Sequence, residues 1–562
     1  MLCWILIFLL TALNSFLLSQ TEEENKIQFT GNASITQEVY QFEASDSTLQ
    51  ARRLPNQTRF TFNSSLDYGM LQVPITLVLS TRQSNYLTAK APTQSFMQYL
   101  QNPLNYISIA PKYEWAQFQI GSQAPQFSDL TMGNRQIFGI GMDLLPNDFR
   151  IASFYGISQR GIEPLGNQLQ GTYTQYIYGA KFQYGKEKTG SIGLNFAAFY
   201  DDTNSIQNIP SATSIYPEEG LISSINFSIP FTEKIYLYSE VATSAFTRNQ
   251  FSDKVVFNGI EVDLYIQEAK SSTLIDGAAK SRLVIDYGNW GLNAQGIYVS
   301  DGFRSVGYQF FVSDRVEYTI GGNYRTEDSK FNVNGSIGQR FNNLQETKST
   351  TTNQIIANCN IFYQLTDDFS ANISYTNFGI RNNTLNDTLK LEMVSNSFSF
   401  TPSYRFETDW TNNNLNLVIA ADDFEDFNTL TGEFRTNSTK NASLVFVSAL
   451  KDIPFSGNLF TTYVTNNLPN ANLELISIGF GGNYRLLDNT FVPGLRLSLN
   501  QSSIGSNTDD IKIGVRFTSR YKLENDLILR LNYSLNDYSY GSSRSNATFT
   551  ENYLQFGLSY SF

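Results

Sequence analysis

The side chains that most often do chemistry are thinly spread in this 562-residue chain, and histidine is missing altogether. Its absence removes Ser-His-Asp and Cys-His nucleophilic catalysis and every His-ligated metal site. Of the two cysteines, Cys3 falls in an apolar leader and Cys359 is left alone, so no intramolecular disulfide is expected. The densest carboxylate group, Asp422-Asp423-Phe424-Glu425-Asp426, offers the oxygen ligands that Ca²⁺ takes. It stands where a strand gives way to a loop, and a solvated acidic segment is the preferred reading. We therefore expect no enzyme, no metal and no cofactor.

A second set of residues has a pattern. Arg150, Arg325, Arg405, Arg485, Arg496, Lys512, Arg516, Arg520 and Arg530 all fall on the polar phase of segments in which every second residue is apolar. Rings of arginine in an aqueous pore select anions. Arg150, Arg325, Arg405, Arg485 and Arg520 lie two to four residues from a short turn, which would gather them around one mouth. The plainer account pairs each with a neighbouring carboxylate such as Glu407 or Glu317, leaving no net field.

The elements that must position these residues are strands. Leu527, Leu529, Leu531, Tyr533 and Leu535 alternate with Ile528, Arg530, Asn532, Ser534 and Asn536. Ile511, Ile513, Val515 and Phe517 alternate in the same way with Lys512, Gly514, Arg516 and Thr518. A period of two puts one face against an apolar medium and the other against something wet. Composition says what the apolar medium is. Charged residues make up 16% of the chain, against about 25% in ordinary soluble domains. Aromatics reach 14%, with 32 Tyr and 43 Phe, while mean hydropathy is only -0.25. No apolar run of about 20 residues follows the leader, so membrane helices are excluded. The combination predicts strands with lipid on one side and water on the other.

Twelve short turns punctuate the pattern, from Tyr68-Gly69 to Glu524-Asn525, including a weak one near Lys112. Between them lie long polar loops such as Asp201 to Glu219 and Arg248 to Ala279. Short turns on one side and long loops on the other are the asymmetry of bacterial barrels, with the short turns periplasmic. Twelve turns imply 13 hairpins, hence a single antiparallel up-and-down β-barrel of about 26 strands, within a range of 22 to 28. Ile260 to Gln267 is a candidate extra strand within a loop. Tyr68, Tyr184, Tyr287, Tyr324, Tyr363, Tyr404, Tyr484 and Tyr521 each stand just before a turn on the apolar phase, as a periplasmic aromatic girdle would.

Residues 1–20 read as a secretory signal peptide cut near Ser19 or Gln20, with an uncleaved anchor as the alternative, and 21–562 as the barrel. Alternation already under way at Ile27 leaves no room for an N-terminal plug, and no soluble domain is expected. The last strand alternates Leu554, Phe556, Leu558, Tyr560 and Phe562 with polar or small residues. This ending resembles the signal that the barrel-assembly machinery reads on outer-membrane proteins, which implies that machinery and outer-membrane lipid as partners. The stretch Ser305-Val306-Gly307-Tyr308-Gln309-Phe310-Phe311 to Asp314, followed by Gly338-Gln339-Arg340-Phe341-Asn342-Asn343-Leu344, resembles large outer-membrane barrels of Bacteroidota-type bacteria. The resemblance implies fold and location but no substrate.

Two functional readings follow. In the first, the barrel is a channel or transport protein with a basic periplasmic mouth that engages anionic solutes or an acidic periplasmic protein. In the second, it is a non-conducting scaffold or accessory subunit of an envelope assembly or secretion machine. A barrel this wide cannot stand open without breaching the membrane, so loops or a partner must narrow it. Arg248 to Ala279 is the longest candidate for an inward loop. No nucleic-acid partner is expected.

Overall fold

The computed structural model describes residues 27–562 except 82–98, 101–103, 165–170, 208–214, 258–259, 262–267, 309, 385, 387–389, 429, 506–509, 525 and 542–546. The leader at 1–20 lies outside the described residues. Alternation becomes strand almost throughout, because a period of two can satisfy lipid and lumen together only in a pleated sheet. Twenty-seven segments join one antiparallel sheet, and two of them, Tyr106–Ile109 and Lys112–Tyr113, are halves of a single interrupted strand. The sheet therefore has 26 strand positions. It closes where Gln28–Ala44 pairs with Thr548–Ser561 from Asn32↔Ser561 to Ala44↔Phe549. Beyond that register, Gly31 and Phe562 exchange backbone hydrogen bonds of 2.8 and 3.0 Å. Closure leaves no unpaired edge, which a hydrocarbon environment demands.

The twelve short turns join the strands at the expected places, with one displacement. Lys112 is itself in the strand, and the turn falls at Glu114-Trp115. The tightest connections have two residues, as at Gly69-Met70. The turn at 485–490 is more strained: Leu487, Asp488 and Asn489 all adopt positive φ, of 51°, 51° and 66°. A leucine in that region is uncommon, and three left-handed residues in succession reverse the chain sharply. The opposite end carries the long loops, although Leu468 and Ala471 there are separated by only two residues.

The outer surface follows from the phase. Val241, Ile320, Phe480, Leu497 and Ile513 are exposed on the outward side. An apolar outer band on a closed barrel is the form that crosses a membrane with strands, and the chain is an outer-membrane barrel on that ground. Among the described residues no helix is long and apolar enough to cross, and the short helix Gly432–Arg435 lies in a loop.

Buried residues are concentrated on one side of the lumen. The apolar cluster gathers Ala152, Phe154, Ile177, Ala197, Ile222, Ala242, Ala278 and Val299 from successive strands. Phe127, Leu130 and Met132 join it from the segment 124–136, and Phe303 and Val306 from 300–314. These are lumenal positions: in Phe149–Gln159, for example, Ile151 and Tyr155 are exposed outward while Ala152 and Phe154 are buried. Two loops thus fold onto the inner wall. Of the segment expected to do so, Arg248 to Ala279, the strand residue Ala278 belongs to the cluster, and the described residues among 248–272 do not. Near its start the segment is tied to neighbouring loops: Gln250 Nε2 donates to the carbonyls of Asp201 and Glu218 at 3.1 and 2.8 Å. Ile260–Glu261 pairs with Val256–Phe257 as a small separate hairpin, not as a barrel strand.

Candidate functional site

Eight of the nine basic residues lie on strands, on the phase opposite the exposed apolar side chains, and the register brings several together. Lys512, Arg516 and Arg520 stand four residues apart on Asp510–Glu524, about 13 Å at ~3.3 Å per residue. Arg496 is the direct cross-strand partner of Arg516, and Arg530 that of Arg520. Like charges directly opposite one another destabilise a sheet. Other contacts soften that cost. The Arg496 guanidinium lies 4.0 Å from the Phe460 ring centroid, and Lys512 Nζ lies 4.9 Å from that of Tyr538. Arg530 donates to Ser559 Oγ at 3.1 Å. Lys522, two residues beyond Arg520 on the same phase, extends the basic track and was missed because it abuts a bulge.

The carboxylates expected to neutralise this set are engaged elsewhere. Glu317 accepts from Arg340 at 2.7 Å, and Glu407 from Lys451 at 3.1 Å. Of the nine, Arg150 alone has an acidic partner among the described residues, Asp143 at 2.8 Å. Arg325, Arg405, Arg485, Arg496, Lys512, Arg516, Arg520 and Arg530 form no ion pair there. Arg485 sits just past its strand, with its backbone N–H bonded to Pro454 O at 2.8 Å.

The opposite wall is arranged differently. There several charges lie under the two inward loops and are held by contacts to them. Lys280 Nζ pairs with Asp129 at 2.6 Å. Lys181 donates to the Phe127 carbonyl, and Leu130 N–H donates to Glu240 Oε2 at 3.3 Å. Thr131 Oγ1 donates to Ser224 Oγ at 2.7 Å. The loops also hold each other: Gly307 N–H donates to Thr131 O at 3.1 Å, and Arg135 N–H to Gly307 O at 3.2 Å. A side chain at 307 would bring Cβ to 2.3 Å from Met132 Cα, so only glycine permits that approach. Burial pushes the Arg135 guanidinium below the usual arginine range.

The stretch from Ser305 to Asp314 and the turn at Asn342-Asn343-Leu344 meet in this arrangement. Asp314 accepts hydrogen bonds from the amides of Asn343 and Leu344, both at 2.9 Å, and an ion pair from Lys348. Sequence reading could suggest only a local turn at 342–344; the long-range acceptor was not legible.

The girdle tyrosines stand at the turn end on the outward phase, and all but the half-buried Tyr521 are exposed. Several have aromatic partners that the tyrosine pattern alone did not reveal. Tyr287 stacks on Trp290 with centroids 4.7 Å apart, and Tyr184 meets Phe149 at 4.9 Å. Phe455, Phe491 and Phe331 approach Tyr484, Tyr521 and Tyr363. Of the terminal residues, Leu554 and Phe556 are exposed outward, and Phe562 stacks on Phe29 at 4.8 Å across the closing seam. The acidic run Asp422 to Asp426 ends the strand Thr411–Asp426, and three of its carboxylates accept from hydroxyls: Ser397 donates to Asp422, Ser438 to Asp423, and Thr431 to Asp426 at 2.7 Å. Among the described residues no three carboxylates or cysteines are placed to hold a metal ion.

No family model matches the chain, and no curated protein matches it by sequence. Solved structures show barrel similarity. The P pilus usher (PapC) translocation pore aligns over 95% of this chain and 98% of its own, at 11% identity and a TM-score of 0.36. The E. coli P pilus tip assembly intermediate PapC-PapD-PapK-PapG aligns over 97% of this chain and 62% of its own, at 11% identity and 0.43. Pseudomonas aeruginosa OpdQ aligns over 71% of this chain and 98% of its own, at 9% identity and 0.33.

Proposed function

We propose that the barrel is a transport channel for anionic solutes, drawn in at a basic periplasmic mouth. The observation that carries the reading is that eight of the nine lumenal cations lack an ion-pair partner among the described residues, including two couples held directly opposite each other. An uncompensated field of this kind attracts anions and raises their local concentration. The two inward loops narrow a lumen that would otherwise be too wide, and they do so without covering the arginine wall. Kinship with Bacteroidota-type barrels, carried by Ser305 to Asp314 and Gly338 to Leu344, belongs to the same reading. The test is the reversal potential in planar bilayers under a salt gradient. Anion preference is expected, falling when Arg405, Arg485 and Arg520 are all replaced by Gln. Cation preference, or no response to the triple change, would overturn the reading, and electrical silence would favour the scaffold alternative.

A further inference from the structure

The covered wall contains a cavity of about 200 Å³ between the loop segment 124–127 and the lumenal faces of Ala116–Gln123, Ile137–Leu144 and Phe149–Gln159. It opens toward the lumen past the exposed side chains of Gln117 and Gln126. Its chemistry is unlike that of the arginine wall. The only charged residues lining it are Asp143 and Arg150, and they cancel. Arg150 Nε and Nη2 donate to the two carboxylate oxygens at 3.1 and 2.8 Å. What remains is amide. Gln117, Gln119, Gln123 and Gln126 all line the space, each able to donate and accept.

Gln123 gives the cavity its direction. It is only 3% exposed, yet its Nε2 has no hydrogen-bond partner. A buried amide donor left unsatisfied is destabilising, and a ligand acceptor would complete it. The side chain reaches this position by lying over Gly141, where a Cβ would come within 2.3 Å of Gln123 Oε1. Beside the amides, Phe127 and Phe154 supply an apolar wall, with ring centroids 5.3 Å apart.

A net-neutral, amide-lined cavity with one orphan donor and an aromatic side matches a neutral polyhydroxylated ring. Hydroxyls accept from and donate to amides in any order, and the C–H faces of the ring pack on phenyl groups. The volume suits one such ring. We propose that this cavity is a binding site for a neutral sugar residue, distinct from the anion track and independent of whether that track conducts. The same chemistry could arrive as a free monosaccharide or as the end unit of a glycan.

Calorimetry on the detergent-purified full chain tests this with glucose, maltotriose and gluconate. Binding of glucose alone identifies a free monosaccharide, and binding of maltotriose as well identifies a chain end; either supports the site. Gln123→Leu should weaken binding by about five- to tenfold, the worth of one neutral hydrogen bond. Gly141→Ala, which displaces the same amide, should act in the same direction, while the double change Arg496→Gln and Arg516→Gln should leave sugar affinity unchanged. Retention of the compact band on unboiled gels certifies that each variant is folded. The proposal is overturned if neither neutral sugar binds, if gluconate is preferred, or if folded Gln123→Leu and Gly141→Ala bind as the parent does.

Discussion

Two walls of one lumen solve the problem of interior charge in opposite ways. From Ala116 to Val299 the inner face is roofed by two loops, and its charged groups are tied to those loops: Lys280 to Asp129, Lys181 to a carbonyl, Glu240 to an amide. From Phe491 to Ser539 the inner face is bare, and its cations face water and one another. The difference follows from dielectric. Once a loop excludes water, an unmatched charge costs several kcal/mol, and Lys280 and Lys181 beneath it are held by a carboxylate and a carbonyl. On the bare wall water supplies the solvation, and unpaired arginines remain affordable. Covered charge marks the wall that is structural, and uncovered charge marks the wall that is free to act on what passes.

The largest expected effect lies on the roofed wall. Phe303 is fully buried where its loop enters the lumenal cluster. Phe303→Ala should cost the loop's seating about 3–5 kcal/mol. The barrel itself is closed by its strands and should keep its resistance to SDS. Limited proteolysis should therefore show cleavage within 300–314 in an otherwise intact barrel. Loss of the whole barrel would mean that the loops are part of its fold rather than a lining added to it.

A second test addresses the bare wall's two faces. Val515 lies mid-strand on the lipid side, opposite Leu497 and Leu535. Val515→Arg should cost about 2–4 kcal/mol, as arginine does near the bilayer midplane. Leu529 has the same phase but lies three residues into its strand from the turn. Leu529→Arg there should cost only about 0–1 kcal/mol, the value near an interface. Asn532→Arg faces the lumen and should stay within about 0.5 kcal/mol, as ordinary solvated positions do. Unfolding titrations of the three variants rank them, and equal effects at Val515 and Asn532 would mean that the register is wrong.

Much of this was legible from sequence, for a physical reason. Lipid and lumen impose period two on every strand, and tight turns need Gly, Asn, Asp or Pro. Both signals are local, and so the 26 strands, the turns and the outward tyrosines could be read directly. The lumenal phase of Arg496, Arg516, Arg520 and Arg530 was legible on the same ground. What local patterns do not encode is which strands lie opposite in register, or which loop turns inward. Length pointed to the segment from Arg248, yet the loops that descend are the shorter 124–136 and 300–314. They are held by Gly307, Tyr308 and Met132 at sequence separations of about 170 residues. The amide cavity was invisible for the same reason, since Gln123 and Gly141 mean nothing until their strands are paired.

The smallest effect tests how firmly the roof is tied down. Asp314 is buried at the end of one roofing loop and joins it to the turn at 342–344. Burial alone would raise its pKa, but Lys348 and the amides of Leu344 and Asn343 hold the carboxyl below its ordinary value of 3.8. A depressed carboxyl contributes stability that is fully present above the unfolded value and is lost as pH falls through the folded one. Lys348 keeps its proton throughout, because the same contact raises its own pKa. The Asn343 and Leu344 amides should therefore stay protected from hydrogen exchange at neutral and mildly acidic pH and open only below about pH 4. Asp314→Asn should expose them at every pH, at a cost of about 1 kcal/mol since Lys348 is half-exposed. The tie makes no contact with the strands of the bare wall, so anion selectivity should be unchanged while the tie opens. If selectivity shifts at the pH where the amides open, the two walls are coupled through the roof, and the division between a structural wall and an acting wall fails.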